Sequence, residues 1–208
     1  MKNQPKPEPI SITHFLDELS QFRLGDLPTE KAHSKTKHLS NLAIESPLEA
    51  CDLLRQLEVD AVVEVLEKAD ELTAMSKAIR ATLVSGGRIF LCGCGATGRL
   101  SLSIETFWRE RVQDQTEKVI SFMAGGDFAL IRSIESFEDF PEYGARQLRD
   151  LNFGHNDLLI SCTEGGETPF VIGATEEALK LSDRSPYFLY CNPDEILRAK
   201  VERSRKII

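Results

Sequence analysis

No stretch of this sequence approaches the ~20 consecutive apolar residues that a bilayer-spanning helix needs. Residues 1–30 carry Pro5, Pro7, Pro9 and scattered acids but no apolar signal-peptide core. A basic excess is missing too. Lys and Arg total 25 against 33 Asp and Glu, a net charge of −8, which argues against a general nucleic-acid binder or a polybasic membrane-surface protein. Zinc-site spacing is lacking, because Cys92-Gly93-Cys94 is too tight and no histidine lies near. The five cysteines are odd in number and four sit in apolar runs, the pattern of reduced thiols in a cytoplasmic protein, not of a disulfide framework. Neither a cofactor nor a metal is expected. What is present, 41% apolar and 28% charged residues over 208 positions, are the proportions of an ordinary globular chain.

After a Pro-rich lead-in, Ile12, Phe15, Leu16, Leu19 and Phe22 recur at helical spacing and predict a short amphipathic helix. Residues 31–38 (KAHSKTKH) read as a solvated arm, so residues 1–45 form an N-terminal arm and 46–208 the main domain. Ser46-Pro47 followed by Glu49 is a helix start, with Ser46 as the cap. Leu57, Val62, Val65, Leu66, Ala69, Leu72, Ile79 and Leu83 form an apolar stripe on one or two long helices ended by Gly86-Gly87. That stripe is expected in the core, with a partner-helix site as the lesser option.

From Arg88 onward the period changes. Four short apolar runs, Ile89–Cys92, Val119–Met123, Asp157–Cys162 and Tyr187–Cys191, each end in a polar turn, with helical segments between them. Strand, polar turn and helix repeated four times predict an α/β fold: a doubly wound parallel sheet in a three-layer αβα arrangement. Ligands in such sheets bind at the carboxyl ends of the strands.

The first turn, Gly93-Cys94-Gly95-Ala96-Thr97-Gly98-Arg99, suits a phosphate cradle. Glycines admit an anion close to the backbone, the helix start adds unpaired N–H groups, and Thr97 has a hydroxyl to offer. G-x-G-x-x-G alone leaves a dinucleotide site and a plain tight turn open. The dinucleotide reading wants an acid ~20 positions on, whereas the second strand tip carries Asp127, 34 positions after Gly93. Asp127 is read as a helix cap. Glu135, Glu138 and Asp139 lie beyond it, either as site carboxylates or as a solvated acidic face. In the third turn, Thr163, Glu164, Gly165, Gly166, Glu167 and Thr168 precede Pro169, a second place where N–H groups and hydroxyls could face an anion. Glu164 and Glu167 would repel phosphate there unless they point away or serve sugar hydroxyls. Asn192 is read as the cap of a helix beginning at Pro193. Two glycine–hydroxyl turns at strand ends suit a ligand with a phosphate and a polyol body.

In order, GCGATGRLSLSIE, AGGDFALIRSIESFED, ISCTEGGETPFVIGA and CNP resemble the sugar isomerase (SIS) domain of the N-acetylmuramic acid 6-phosphate etherases and of the glucokinase regulatory protein. The upstream LPTEK and SPLEACDLL also resemble the lead-in to that domain. The resemblance spans roughly residues 27–195. It implies a hexose or amino-sugar 6-phosphate site at Gly93, Gly95, Ala96, Thr97, Gly98, Arg99, Glu138, Thr163, Glu164, Gly165, Gly166 and Thr168. It also implies a homodimer or pairing with a second SIS domain, leaves any kinase partner unnamed, and suggests that a last strand is missing from this chain.

Departures from the etherase pattern weigh on function. That pattern places a glutamate eight residues after the Arg, where this chain has Phe107. The second etherase acid maps to Glu138. Glu105 would face away from the Phe107 side, and Glu110 would lie about 4.5 Å further along the axis. Where etherases have S-G-R-T-P, this chain has Gly165-Gly166-Glu167-Thr168-Pro169, and Ala96 replaces a usual threonine. These departures resemble the regulatory, binding branch. The alternative is a lyase in which Glu138 acts as acid/base.

Overall fold

The computed structural model describes residues 11–13, 27–112, 117–132, 134 and 136–200. The amphipathic helix expected over 12–22, and Glu135, fall almost entirely outside the described residues.

Each of the four apolar runs forms a strand: β1 (Ile89–Gly93), β2 (Val119–Met123), β3 (Leu158–Cys162) and β4 (Tyr187–Leu189). All pair in parallel, in the order β2-β1-β3-β4. Parallel neighbours need crossovers, and helices supply them: α4 (Gly95–Arg111) after β1, α5 (Phe128–Ile131) and α6 (Pro141–Asp150) after β2, α7 (Pro169–Leu181) after β3. α8 (Asp194–Lys200) follows β4.

Alternation along β1 divides the core in two. Phe90 and Cys92 join Phe122, Leu148, Leu159 and Phe170 under α6 and α7. Ile89 and Leu91 join Val119 and Leu158 on the other face, against Ile79, Leu83 and Trp108. Helices on both faces make the expected three-layer αβα sandwich. At the base of the sheet, Arg88 and the buried Asp157 tie the entries of β1 and β3 together through an ion pair of 2.6 Å.

Ahead of β1 stand α1 (Leu39–Glu45), α2 (Pro47–Leu66) and α3 (Ala69–Val84). Pro47 sits in the first turn of α2 as expected, but the Ser46 side chain makes no capping bond. The α2–α3 stripe is not core. Val62, Val65 and Leu66 are more than half exposed, and only the last turns of α3 reach the sheet. α2 packs mainly on α1, and of these three helices only α3 makes a substantial contact with the sheet, at β1.

Candidate functional site

Order β2-β1-β3-β4 means the chain leaves β1 toward one edge and later returns to β1's other side. The crevice outside the carboxyl ends of β1 and β3 is therefore the switch point where open α/β sheets bind ligands. A cavity of about 400 Å³ lies there, lined by Gly95, Ala96, Thr97, Glu138, Thr163, Glu164, Gly165 and Thr168, all expected site residues. Cys94, Glu30 and Glu167 complete it.

Four expected site residues stand outside the cavity, each for a packing reason. Gly93 and Gly98 let the end of β1 and the start of α4 approach closely; a Cβ on Gly93 would lie 2.5 Å from Gly98 N, and one on Gly98 2.6 Å from Met123 Cβ. Arg99 turns its guanidinium to the carbonyl of Ala129, 3.1 Å away. Gly166 adopts φ +86° to turn the chain beneath Leu197 and Tyr190.

At the head of α4 the backbone opens toward the cavity. Gly95 has φ +50° with nothing near its Cβ position, and first-turn N–H groups of a helix have no carbonyl partner within it. The Thr97 hydroxyl has a different task from the one expected. It donates to Cys94 O at 2.9 Å and accepts from Cys94 N at 3.0 Å, so its proton closes the helix start instead of facing a ligand. Across the crevice, the Thr163 and Thr168 hydroxyls share a 2.8 Å hydrogen bond, which leaves one of their two protons for a ligand.

Glu138 stands on the short 3-10 turn Phe137–Asp139, exposed to solvent while it lines the cavity. The Cys94 thiol donates to its Oε2 at 2.7 Å. Burial, then the Glu138 carboxylate, push that thiol up to about 12, so it stays protonated and serves as a donor. Glu167 has no such support. Burial, followed by Glu30 and Glu164, raises its affinity for a proton, and its Oε2 is buried with no hydrogen-bond partner.

Asn192 is not the cap of α8. Its Nδ2 donates to Gly165 O and to Thr29 Oγ1, both at 2.8 Å, and its Oδ1 accepts from Thr29 N at 3.2 Å. The side chain thus fastens the N-terminal segment to the third turn and brings Glu30 to the cavity wall, with Leu27 fully buried behind it. Sequence reading missed Glu30, Cys94 and Asn192 as site-forming residues, and only the LPTEK resemblance pointed toward Glu30. Asp127 also departs from expectation: it precedes α5 without a side-chain capping bond.

Phe107 lies ten residues beyond Thr97 on α4, roughly 15 Å along the axis, and is 60% exposed. It does not touch this cavity, so an acid there would not reach a ligand in it from the same chain. Glu105 faces away as its spacing predicted: its carboxylate accepts from Ser121 N at 2.7 Å and pairs with Arg109 at 2.7 Å. Glu110 is exposed on the same helix and does not line the cavity.

Parallel αβα architecture with a glycine turn and helix start at its switch point places the chain among the doubly wound α/β ligand-binding folds. Within that class, the family described as "Glucokinase regulatory protein N-terminal SIS domain" matches residues 69–179, and the chain belongs to it. Among curated proteins, it is 30% identical over 190 residues to N-acetylmuramic acid 6-phosphate etherase 1 of Bacillus licheniformis, covering 91% of this chain and 61% of that one. The N-acetylmuramic acid 6-phosphate etherase of Synechocystis sp. is 32% identical over 170 residues, covering 82% and 54%. The chain thus spans little more than half the length of these relatives. A solved phosphoheptose isomerase from Francisella tularensis superposes with TM-score 0.49 at 19% identity, over 76% of this chain and 94% of that one.

Proposed function

We propose that this chain binds a hexose or amino-sugar 6-phosphate in the switch-point cavity, as a protein of the glucokinase regulatory type. One observation carries the reading: the cavity joins an anion-accepting helix start to a wall of carboxylates and hydroxyls suited to a polyol. The phosphate meets the first-turn N–H groups of Gly95 and Ala96 and the free proton of the Thr163–Thr168 pair. Sugar hydroxyls donate to Glu138. Pairing with a second SIS domain would use the exposed stripe Leu100, Ile104 and Phe107 on α4.

A second reading, a lyase acting on N-acetylmuramic acid 6-phosphate, is favoured by the presence of Glu138 in the cavity and by the names of the relatives. Glu138 would remove the C2 proton, the C3–O bond would break, an acid would protonate the departing lactate oxygen, and water would add to the alkene. Phe107 and Glu110 lie outside the cavity, and Glu105 is held by Ser121 and Arg109, so none of the three supplies that acid here.

Calorimetry with glucose 6-phosphate, N-acetylglucosamine 6-phosphate and inorganic phosphate tests the binding reading. A sugar phosphate should bind more tightly than phosphate, and Glu138→Gln should weaken it about tenfold or more, the scale of a charged hydrogen bond, while leaving phosphate unaffected. Equal losses for both ligands would remove Glu138 from the sugar site. Lactate release from N-acetylmuramic acid 6-phosphate, abolished by Glu138→Gln, would replace the binding reading with the lyase.

A further inference from the structure

Carboxylates reach the cavity from three separate segments: Glu30 before α1, Glu138 after β2, and Glu164 with Glu167 after β3. No lysine, arginine or histidine stands beside them among the described lining residues. The helix starts of α4 and α7, each worth about half a positive charge, favour an anion, α4's at the Gly95 side and α7's at Thr168. Opposite the α4 start, Glu167 is folded back over Gly165. A Cβ at position 165 would lie 3.0 Å from the Glu167 carboxyl carbon, so the glycine is what makes room for this conformation. The carboxyl oxygen left there is buried and unpartnered, and burial, then the like charges of Glu30 and Glu164, raise its affinity for a proton. A ligand seated here must bring hydrogen-bond donors to this wall, and a second anion would meet four carboxylates against two helix starts.

We propose that Glu167 determines specificity, selecting sugar phosphates whose phosphate is their sole anionic group over those that also carry a carboxylate on the sugar. The inference rests on the sugar-phosphate reading above and sharpens it to a ligand class. Like charges in a partly buried cavity are weakly screened, and one such contact across ~10 Å is worth on the order of tenfold in affinity.

The test is titration calorimetry of the full chain with N-acetylglucosamine 6-phosphate and N-acetylmuramic acid 6-phosphate, which differ by a carboxylate-bearing ether group. The wild type should prefer the former at least tenfold. Glu167→Gln should shrink that ratio, chiefly by strengthening the carboxylate-bearing ligand, and Glu167→Arg should invert it. The methyl ester of N-acetylmuramic acid 6-phosphate controls for bulk in the unaltered protein and should bind nearly as well as N-acetylglucosamine 6-phosphate. An ester as weak as the free acid would make size the selector and overturn the inference. So would a wild-type ratio near one, or a ratio unchanged in both variants, with sugar-phosphate binding itself intact. If neither sugar phosphate binds the wild type, the sugar-phosphate reading falls and takes this inference with it.

Discussion

Two helical pairs of this chain, α2–α3 and α6–α7, use the same amphipathic logic to opposite effect. α6 and α7 pack so closely that a Cβ on Gly144 would lie 1.9 Å from the carbonyl oxygen of Phe170, and one on Gly173 1.9 Å from that of Pro141. Their inner faces bury Leu148, Phe170, Val171 and Ala174. α2 instead leaves Val59, Val62, Val63, Val65 and Leu66 more than half exposed. An apolar period says which face of a helix can be buried. Whether anything is there to bury it depends on the reach of the sheet beneath and on small residues that let backbones meet.

Breaking the close pair should give the largest effect. Gly173→Ala drives a methyl group into the Pro141 carbonyl and should destabilise the domain by about 3 kcal/mol, the upper range for overpacking. Urea unfolding with an unchanged slope would register it, and a midpoint within error of wild type would show that α6 and α7 can part without cost.

An intermediate effect is expected at Glu167, beside the N-terminal end of α7. Its folded-state proton affinity is raised above the ordinary value near 4.5, so the native state holds more protons than the unfolded state. Stability therefore falls as pH rises through the raised value. Glu167→Gln should raise Tm at pH 7, and the gain should fade as pH drops and vanish below 4.5, where both states become protonated. A gain that persists undiminished below that pH would mean that charge is not its source.

The smallest effect belongs to the exposed pair. Val62→Ser or Val65→Ser should change the unfolding free energy by no more than about 0.5 kcal/mol, as for surface positions generally. A loss of 2 kcal/mol would place these side chains in a buried interface and erase the contrast with α6–α7.

Much of the candidate site's lining could be read in advance, because its two glycine–hydroxyl turns are local in sequence. Gly95 with Ala96, and Thr163 with Thr168, were legible from a glycine or hydroxyl turn running into a helix. Thr97 lines the cavity, but its hydrogen bonds to Cys94 are not legible in spacing, since a threonine at the third helical position serves the helix start as readily as a ligand. Glu30 and Asn192 stayed hidden because 162 positions separate them, and hydrogen bonds from Asn192 to Thr29 and Gly165 have no signature in spacing.

By itself the sequence determined the repeating strand–turn–helix units, the parallel class of sheet and the strand ends where a ligand would sit. Those follow from local periodicity and from glycine and proline at element boundaries, which act over a few residues. Only the tertiary structure decided the order β2-β1-β3-β4, the cavity between β1 and β3, the exposure of α2, and the meeting of four carboxylates in one cavity. Strand order and long-range packing depend on which distant surfaces fit together, and no local pattern carries that information.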